Sequence, residues 1–333
     1  MQKATFMQKL SPSTKKLMVS LSALIILYVF FAIAKTGSFM TQVNQINILH
    51  QVVTYSIVGF GITYCLVGGT SDLSAGSTLG LAGMIMFWGV MRGIPVWLSF
   101  VITILAGAAM GIINGISTQI LGVIPFIATL GTQWVFRGLT YIVTAGRPVF
   151  AADIPSKTVA KQVEFFGASR VGASANFYGI PVSVIIMLVL GIFMGILLSK
   201  TSYGRKLYAC GSNAEAARLS GINVVRIRII MYILCGIMAS IAGVITASRA
   251  SSAQPTAGVG YEFQAIVGSV LGGVAMSGGE GNILNTIVGS LIMGVMRNGM
   301  NVMGINTYWQ QVVLGILLVL VVAFEAYRNR KFT

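Results

Sequence analysis

The first apolar stretch of the chain, residues 17–34, reads LMVSLSALIILYVFFAIA and contains no charged residue. An apolar stretch of about 18 residues or more is long enough to cross the hydrocarbon core of a membrane as a helix. Lys15 and Lys16 precede it directly and residues 32–34 resemble a signal-peptidase site, but the stretch is long for a secretion signal. We therefore predict a retained first membrane span.

Ten segments, including this first one, have the length and apolar content of a membrane span or nearly so. They are approximately 17–34, 48–68, 73–91, 95–119, 124–143, 181–199, 226–248, 262–276, 282–300 and 308–325. Only 9% of the residues are charged, whereas soluble domains carry about 25%. So little charge cannot cover a water-exposed surface of ordinary size. The sequence predicts an all-α polytopic membrane protein, a single domain over residues 1–333 with about ten transmembrane helices.

The net charge of +15 could indicate nucleic-acid binding or membrane topology. Nucleic-acid-binding proteins concentrate basic residues on a folded soluble face, whereas here they lie between apolar segments, so no nucleic-acid partner is predicted. With the N-terminus inside, ten spans return the C-terminus inside, and 13 of the 22 Lys and Arg residues then face the cytoplasm. These are Lys3, Lys9, Lys15, Lys16, Lys200, Arg205, Lys206, Arg218, Arg226, Arg228, Arg328, Arg330 and Lys331. Because cytoplasmic loops are enriched in Lys and Arg, we predict a bacterial inner-membrane protein with both termini in the cytoplasm.

Two long connections divide the chain. Residues 145–180 are predicted to form an external loop, and residues 200–225 a basic cytoplasmic loop. The external loop leaves five spans on each side, in halves of about 17–143 and 181–325. An odd number of spans gives the two halves opposite orientations, as in the inverted repeats of many transporters. We therefore expect two inverted five-helix halves.

A weak echo between the third spans of the two halves agrees with this division. The sequence DLSA at 72–75 is matched by EFQA at 262–265. Asp72 would lie at the inner end of its span and Glu262 at the outer end of its own, as inversion requires. No acid lies plainly in the middle of a span, although ion-coupled carriers usually concentrate acids there. The source of energy is therefore expected to be another subunit.

The cytoplasmic loop contains a helix-prone stretch at 213–221. Asn213 can cap its start, Glu215 suits its first turn and Gly221 can end it. We predict a short amphipathic helix outside the membrane.

No catalytic motif is present in the sequence. It contains no Gly-x-x-x-x-Gly-Lys-Ser/Thr run for ATP, no His-Glu-x-x-His and no Gly-x-Ser-x-Gly. Cys65, Cys210 and Cys235 match no zinc or redox spacing, and His50 has no partner at metal-ligand spacing. We predict no catalytic residue, no metal and no cofactor bound by this chain, with the cysteines reduced and His50 in a packing role.

Polar and small residues within the spans indicate packing or a transport path. An ionised Arg at mid-membrane costs roughly 3 kcal/mol even on mild scales, so Arg137 must face a protein partner or a water-filled path, and both alternatives remain open. Buried amides such as Asn114 and Asn298 can bond between helices or line the path. The Gly-x-x-x-Gly spacing at 107–115 predicts close helix packing.

Four blocks of sequence resemble the permease subunits of ribose-type sugar ABC importers. The stretch SSAQPTAGVGYE at 251–262, continuing through VLGG at 270–273 and GGEG at 278–281, is similar to the signature segment of that family. The loop at 203–223, DLSAGS at 72–77 and PFIATLG at 125–131 match further blocks.

The resemblance implies a transport path for a pentose or hexose and a set of partners. These would be a cytoplasmic ATP-binding cassette subunit that holds ATP and Mg²⁺, a periplasmic sugar-binding protein, and a second permease copy or a sister permease in the lipid membrane. The residues implied in coupling to the ATPase are Gly204, Gly211, Asn213, Glu215, Ala217, Arg218 and Gly221. The candidates for the pathway or its gate are Asp72, Asn114, Arg137, Gln254, Glu262, Gln264 and Asn298.

The chain departs from the family pattern at several positions. Thr70 and Ser71 precede the Asp-Leu-Ser block where Gly-Ile is usual, and Gln264 stands where an acid is common. These departures leave the sugar open. A self-sufficient sugar facilitator or secondary carrier is the alternative, and a related branched-chain amino acid permease is a third possibility, against which the 254–262 segment argues.

Overall fold

The computed structural model describes residues 12–174 and 178–330, without the side chains of 12–15, 324, 326 and 328–330. The described helices are α1 (Pro12–Ala34), α2 (Thr36–Phe39), α3 (Gln42–Val67), α4 (Ala75–Met91), α5 (Val96–Gln119), α6 (Pro125–Val143), α7 (Lys157–Glu164), α8 (Val182–Lys200), α9 (Ser202–Ser212), α10 (Ala214–Leu219), α11 (Val224–Arg249), α12 (Tyr261–Gly272), α13 (Ile283–Val302) and α14 (Thr307–Arg330). The described strands are β1 (Val149–Phe150), β2 (Arg170–Val171), β3 (Ile180–Pro181) and β4 (Ser252–Ala253), and a 3-10 turn covers Ala151–Asp153.

The predicted all-α fold is confirmed, because each of the ten predicted spans corresponds to one helix. These helices are α1, α3, α4, α5, α6, α8, α11, α12, α13 and α14. Five helical segments are long and apolar enough to cross a membrane on length and composition alone, namely Lys16–Ala34, Gln42–Val67, Val96–Gln119, Val182–Lys200 and Val224–Arg249.

The centre of the bundle is the contact between α3 and α11, each 26 residues long. Their large side chains, including Phe60, Tyr64 and Tyr232, are almost completely buried. Helix α3 also packs on α12 and α13, and α11 packs on α4 and α5. Each central helix therefore contacts the third and fourth spans of the opposite predicted half.

Glycines bring α5 and α11 into backbone contact. A Cβ atom on Gly107 would overlap the Ser240 side chain and the Gly236 carbonyl, and one on Gly111 would overlap the carbonyl of Tyr232. Gly115 lies against Ile229 in the same way. The prediction that the Gly-x-x-x-Gly spacing serves close helix packing is confirmed.

The 145–180 connection is more ordered than its polar sequence suggested. Strand β1 pairs antiparallel with β4, with Val149 opposite Ala253, and β2 pairs with β3. Helix α7 buries Val163, whose carbonyl accepts a hydrogen bond from Ser248 Oγ at 2.6 Å. The connection therefore covers the C-terminal end of α11.

The opposite end of the bundle gathers the segments that were predicted to be cytoplasmic. Lys16 in α1 forms an ion pair with Glu280, in the connection between α12 and α13. The Gly279 amide in the same connection donates to the Val67 carbonyl at the end of α3, at 2.9 Å. Of the predicted cytoplasmic residues, Lys3, Lys9 and Lys331 lie outside the described residues.

Helix α12 is shorter than the predicted span 262–276. Its 12 residues rise about 18 Å, too little to cross the hydrocarbon core of about 30 Å. Gly260 and Gly273 bound it, both with the positive φ that glycine adopts without a steric penalty. The rest of the path is non-helical backbone, residues 254–260 before the helix and 274–276 after it. Such backbone is tolerated at membrane depth only where protein or water satisfies it.

We predict that Gly111→Ala destabilises the fold by about 1–3 kcal/mol, because a methyl group there overpacks the α5–α11 contact. The measurement is the midpoint of thermal unfolding of the purified protein in detergent.

Gly131→Ala in α6 is the matched control, since nothing lies within 4 Å of a Cβ at that position. An added methyl there should leave stability unchanged or raise it by up to about 1 kcal/mol, because alanine favours a helix. Equal effects of the two substitutions would contradict the packing argument.

Candidate functional site

The connection between α3 and α4 holds a buried carboxylate, Asp72, which is 2% exposed. Asp72 Oδ1 accepts from the backbone N–H of Ser74 at 2.8 Å and from its hydroxyl at 2.7 Å. Asn114 Nδ2 in α5 lies 3.3 Å from both Asp72 oxygens and donates to Ser74 Oγ at 2.7 Å. Thr132 in α6 in turn donates to Asn114 Oδ1 at 2.6 Å. One buried polar cluster thus joins the α3–α4 connection to α5 and α6.

A second polar cluster forms where α6 meets the segment before α12. Arg137 Nη1 donates to the backbone carbonyls of Pro255 at 2.9 Å and Ala257 at 2.6 Å. One helical turn earlier, Gln133 Nε2 donates to Glu262 Oε1 at 3.1 Å. Helix α6 therefore holds both the non-helical 254–260 segment and the first turn of α12.

Glycines in α4 make room for this second cluster. A Cβ atom on Gly76 would overlap the Glu262 carboxylate and the Gly258 carbonyl, and one on Gly80 would lie 2.6 Å from the carbonyl of Ala257. The 254–260 segment can therefore reach the surface of α4 only because these positions are glycine.

The two clusters bring together four of the seven pathway candidates, Asp72 with Asn114 and Arg137 with Glu262. Gln254 bonds locally to Ser252 Oγ at 3.3 Å. Gln264 is 6% exposed and lines a separate cavity.

Asn298 lies in a reciprocal amide pair with Asn44. Each residue donates from Nδ2 to the other's Oδ1, at 2.9 and 3.0 Å. This geometry favours helix packing between α3 and α13 for Asn298.

The 200–225 loop folds as predicted around a capped helix. The side-chain oxygen of Asn213 accepts from the Glu215 and Ala216 amides at 3.0 and 2.9 Å. Helix α10 ends before Gly221, whose φ is +81°. Ala217 is buried against the bundle, whereas Glu215 and Arg218 are exposed. The predicted cap and stop are confirmed.

Glycines fix helix α9 to the ends of its neighbours. A Cβ atom on Gly204 would overlap the Leu198 carbonyl at the end of α8, and one on Gly211 would overlap the carbonyl of Val67 at the end of α3. Arg228 Nε donates to the carbonyl of Gly68 at 3.1 Å. The loop is thus attached to the segment that leads to Asp72.

The loop also contacts the α12–α13 connection. Tyr208 Oη donates to the Gly281 carbonyl at 2.5 Å. Burial raises the pKa of Tyr208, and it also raises the pKa of the Cys210 thiol. Both side chains therefore stay protonated at neutral pH.

Sequence reasoning did not single out three residues of these sites, although each carried a signal. Thr132 is a polar residue directly before Gln133 in the largely apolar helix α6. Arg228 is the second of two arginines at the start of α11, and only Arg226 is exposed. Leu219 is an apolar residue at the end of a hydrophilic helix, and it is 86% exposed.

The comparisons with known proteins agree with this architecture. A profile of the family described as "Branched-chain amino acid transport system / permease component" matches residues 44–322. The ribose import permease protein RbsC of Escherichia coli (strain K12) is 39% identical over 272 residues, which cover 81% of this chain and 82% of the relative. The chain belongs to this permease family. No solved structure matches it.

Two further relatives extend the comparison. RbsC of Bacillus subtilis (strain 168) is 37% identical over 74% of this chain and 73% of its own length. The L-arabinose transport system permease protein AraH of Escherichia coli (strain K12) is 34% identical over 88% of this chain and 85% of its own length. The predictions of the family and of a multi-pass membrane permease are confirmed, and the relatives favour the permease over a self-sufficient carrier.

The described part of the chain contains no group of side chains that could hold a metal ion. Within residues 12–174 and 178–330, no three His, Cys, Asp or Glu side chains are grouped so that they could hold an ion. The cysteines Cys65, Cys210 and Cys235 are free and buried, as expected of structural thiols.

We predict that Asn114→Leu destabilises the permease by roughly 2–3 kcal/mol, because it leaves the buried Asp72 carboxylate and the Thr132 hydroxyl short of partners. Thr132→Val, which removes only the donor to Asn114, should cost about 1 kcal/mol. Thermal unfolding in detergent measures both. An Asn114→Leu variant as stable as the wild type would show that the Asp72 cluster contributes nothing to the fold.

Proposed function

We propose that this chain is the non-catalytic permease of an ATP-driven importer and forms the path of a monosaccharide through the bacterial inner membrane. Its partners would be a cytoplasmic ATP-binding cassette subunit carrying ATP and Mg²⁺, a periplasmic sugar-binding protein, and a second permease copy or a sister permease. The chain itself binds no cofactor, and both its ends lie in the cytoplasm. The relatives named for ribose, D-allose and L-arabinose support a pentose or hexose as the substrate.

The observation that carries the coupling role is the shape of the α9–α10 segment. Its inner side is fixed to the bundle by Gly204, Gly211 and Ala217. Its outer side presents Leu219 almost fully to solvent. We propose that Leu219, together with the exposed Glu215 and Arg218, contacts the partner subunit.

The pathway is proposed to pass the two polar clusters. Asp72, Asn114, Arg137 and Glu262 lie where α4 and α12 begin, with Gln254 beside the non-helical segment. Transporter sites are often built from such interrupted helices at the junction of inverted halves. The reciprocal packing of α3 and α11 on the third and fourth spans of the opposite half supports this division of the chain.

We expect Ala217→Pro to abolish ATP-dependent uptake in vesicles that contain the assembled importer. Proline removes the bond from the Ala217 amide to the Asn213 carbonyl and costs about 3 kcal/mol in a helix interior. The matched control is Ala214→Pro, because proline is tolerated at the first helical position and the extended backbone of Asn213 suits the residue before a proline. Undiminished uptake by Ala217→Pro would exclude the coupling role of α10.

We expect Leu219→Asp to lower sugar-stimulated ATP hydrolysis by about tenfold or more, since burying a charge in a partner's pocket is unfavourable. Stability of the isolated permease should not change, because this side chain is exposed. Val225→Asp is the control, as Val225 is exposed outside α10 and an acid suits the first turn of a helix.

Vesicles that contain this chain alone separate the proposal from a self-sufficient carrier. Uptake of D-ribose, D-allose, L-arabinose and leucine is measured with and without the ATP-binding subunit, the binding protein and ATP. Sugar uptake without the partners would identify a facilitator, and uptake of leucine alone would identify an amino acid permease.

A further inference from the structure

A cavity of about 270 Å³ lies between α3, α12, α13 and the start of α14. It is separate from the two polar clusters, because Glu262 points from α12 towards α4 and α6, whereas Gln264 contributes to this cavity on the side of α13 and α14. It lies beside the last turns of α13 and the first turn of α14, which the predicted topology places towards the outside, and beside the first turn of α12. We call it the Gln264 cavity.

The polar lining of the Gln264 cavity contains hydrogen-bonding capacity that the protein does not use. Gln264 is 6% exposed, and its Oε1 has no hydrogen-bond partner among the described residues. Arg297 Nη1 donates to Tyr55 Oη at 3.1 Å, and the guanidinium carries four more N–H groups. The Tyr55 hydroxyl keeps its own proton to donate.

Gln310 lies in the same lining, and its amide nitrogen donates two hydrogen bonds within the protein. Its Nε2 donates to Asn301 Oδ1 at 2.7 Å and to the Ile305 carbonyl at 2.9 Å. The amide oxygen of Gln264, in contrast, has no partner in the described part of the chain. A buried polar group without a partner is unfavourable for the fold. The Gln264 amide oxygen is therefore available to accept a hydrogen bond from a ligand in the cavity.

The size and chemistry of the lining define the class of ligand. The volume of about 270 Å³ is slightly below the range of ligand pockets, which begins at about 300 Å³, so the cavity can hold only one small molecule. None of the described residues that line it carries a carboxylate, so the cavity does not attract cations. Met296, Met300 and Leu314 supply flexible apolar surface for C–H groups, while the amide, guanidinium and phenol suit hydroxyl groups.

We propose that the Gln264 cavity is a binding subsite for a single neutral sugar, with Gln264, Arg297 and Tyr55 bonded to its hydroxyl groups. The subsite gives the sugar a defined contact on the outer side of the permease before it reaches the interior clusters. This inference rests on the proposed import of a monosaccharide.

The first test compares Gln264→Met with the wild type in the assembled importer in vesicles. Methionine fills the space of glutamine without an amide, so a purely structural role predicts unchanged or higher thermal stability and unchanged uptake. A binding role predicts roughly tenfold lower kcat/KM for sugar uptake at unchanged stability. Normal uptake by Gln264→Met would overturn the proposal.

The second test detects the sugar in the cavity directly. Leu314→Cys places a thiol in the lining, and the three native cysteines are buried, so background labelling is low. D-ribose, D-allose and L-arabinose are added separately at millimolar concentration to the full-length variant in nanodiscs, and the rate of reaction with N-ethylmaleimide is followed. The sugar that the importer carries should slow labelling at least about threefold, since a bound ligand covers the thiol.

Trp309→Cys is the matched control, because Trp309 is exposed near the start of the same helix and does not line the cavity, and its labelling should not respond to sugar. Stronger protection by D-galacturonate would overturn the assignment to a neutral sugar in favour of an acidic one. Uptake of a sugar with no protection at Leu314→Cys would overturn the subsite and leave the proposed function intact. Failure of the importer to carry any sugar would overturn both.

Discussion

The structure depends on one constraint, that the charged and amide side chains linking the helices inside the bundle find partners within the protein. Asp72 meets it through Ser74 and Asn114, and Arg137 meets it with backbone carbonyls. Asn44 and Asn298 satisfy each other. In a low-dielectric interior each such pairing also fixes the relative position of two helices, because an unpaired group is costly. The polar residues therefore act as fixed points between apolar helices that could otherwise slide.

Backbone contact at glycines is what allows those partners to come within reach. Arg137 can bond to the 254–260 segment because Gly76 and Gly80 place no side chain between α4 and that segment. Gly211 lets α9 approach the end of α3 in the same way. Glycines at such contacts thus serve two needs, since close packing replaces the missing hydrophobic drive between membrane helices and also shortens polar distances. Adding one methyl group at such a position therefore disturbs the helix packing and lengthens the distance between the polar partners.

Local signals in the sequence predicted the ten spans and the short helix at 214–219 with its cap. Apolar length and the placement of asparagine and glycine act over a few residues. The partners of Asp72 and Arg137 did not follow, since Asn114 and Pro255 are distant in the chain. The end of α12 was placed a few residues too late, because its apolar run continues to 276 although Gly273 ends the helix. The pairing of β1 with β4 likewise joins residues about a hundred positions apart and leaves no periodic pattern.

The placement of α9 and α10 gives one contact on this segment access to both predicted halves of the bundle. Arg228 and Gly211 tie this segment to residues 67–69, from which the chain runs directly to Asp72. Tyr208 ties it to the connection that follows α12, the helix that carries Glu262 and Gln264. Energetic coupling can be carried by contiguous packed elements that have two arrangements. Here the bonds of Arg228 and Tyr208 to backbone carbonyls connect α9 and α10 to the segment before α4 and to the segment after α12. A displacement of α10 by a partner would therefore move the start of α4 and the end of α12 together, and these are the two places where the spanning helices are interrupted.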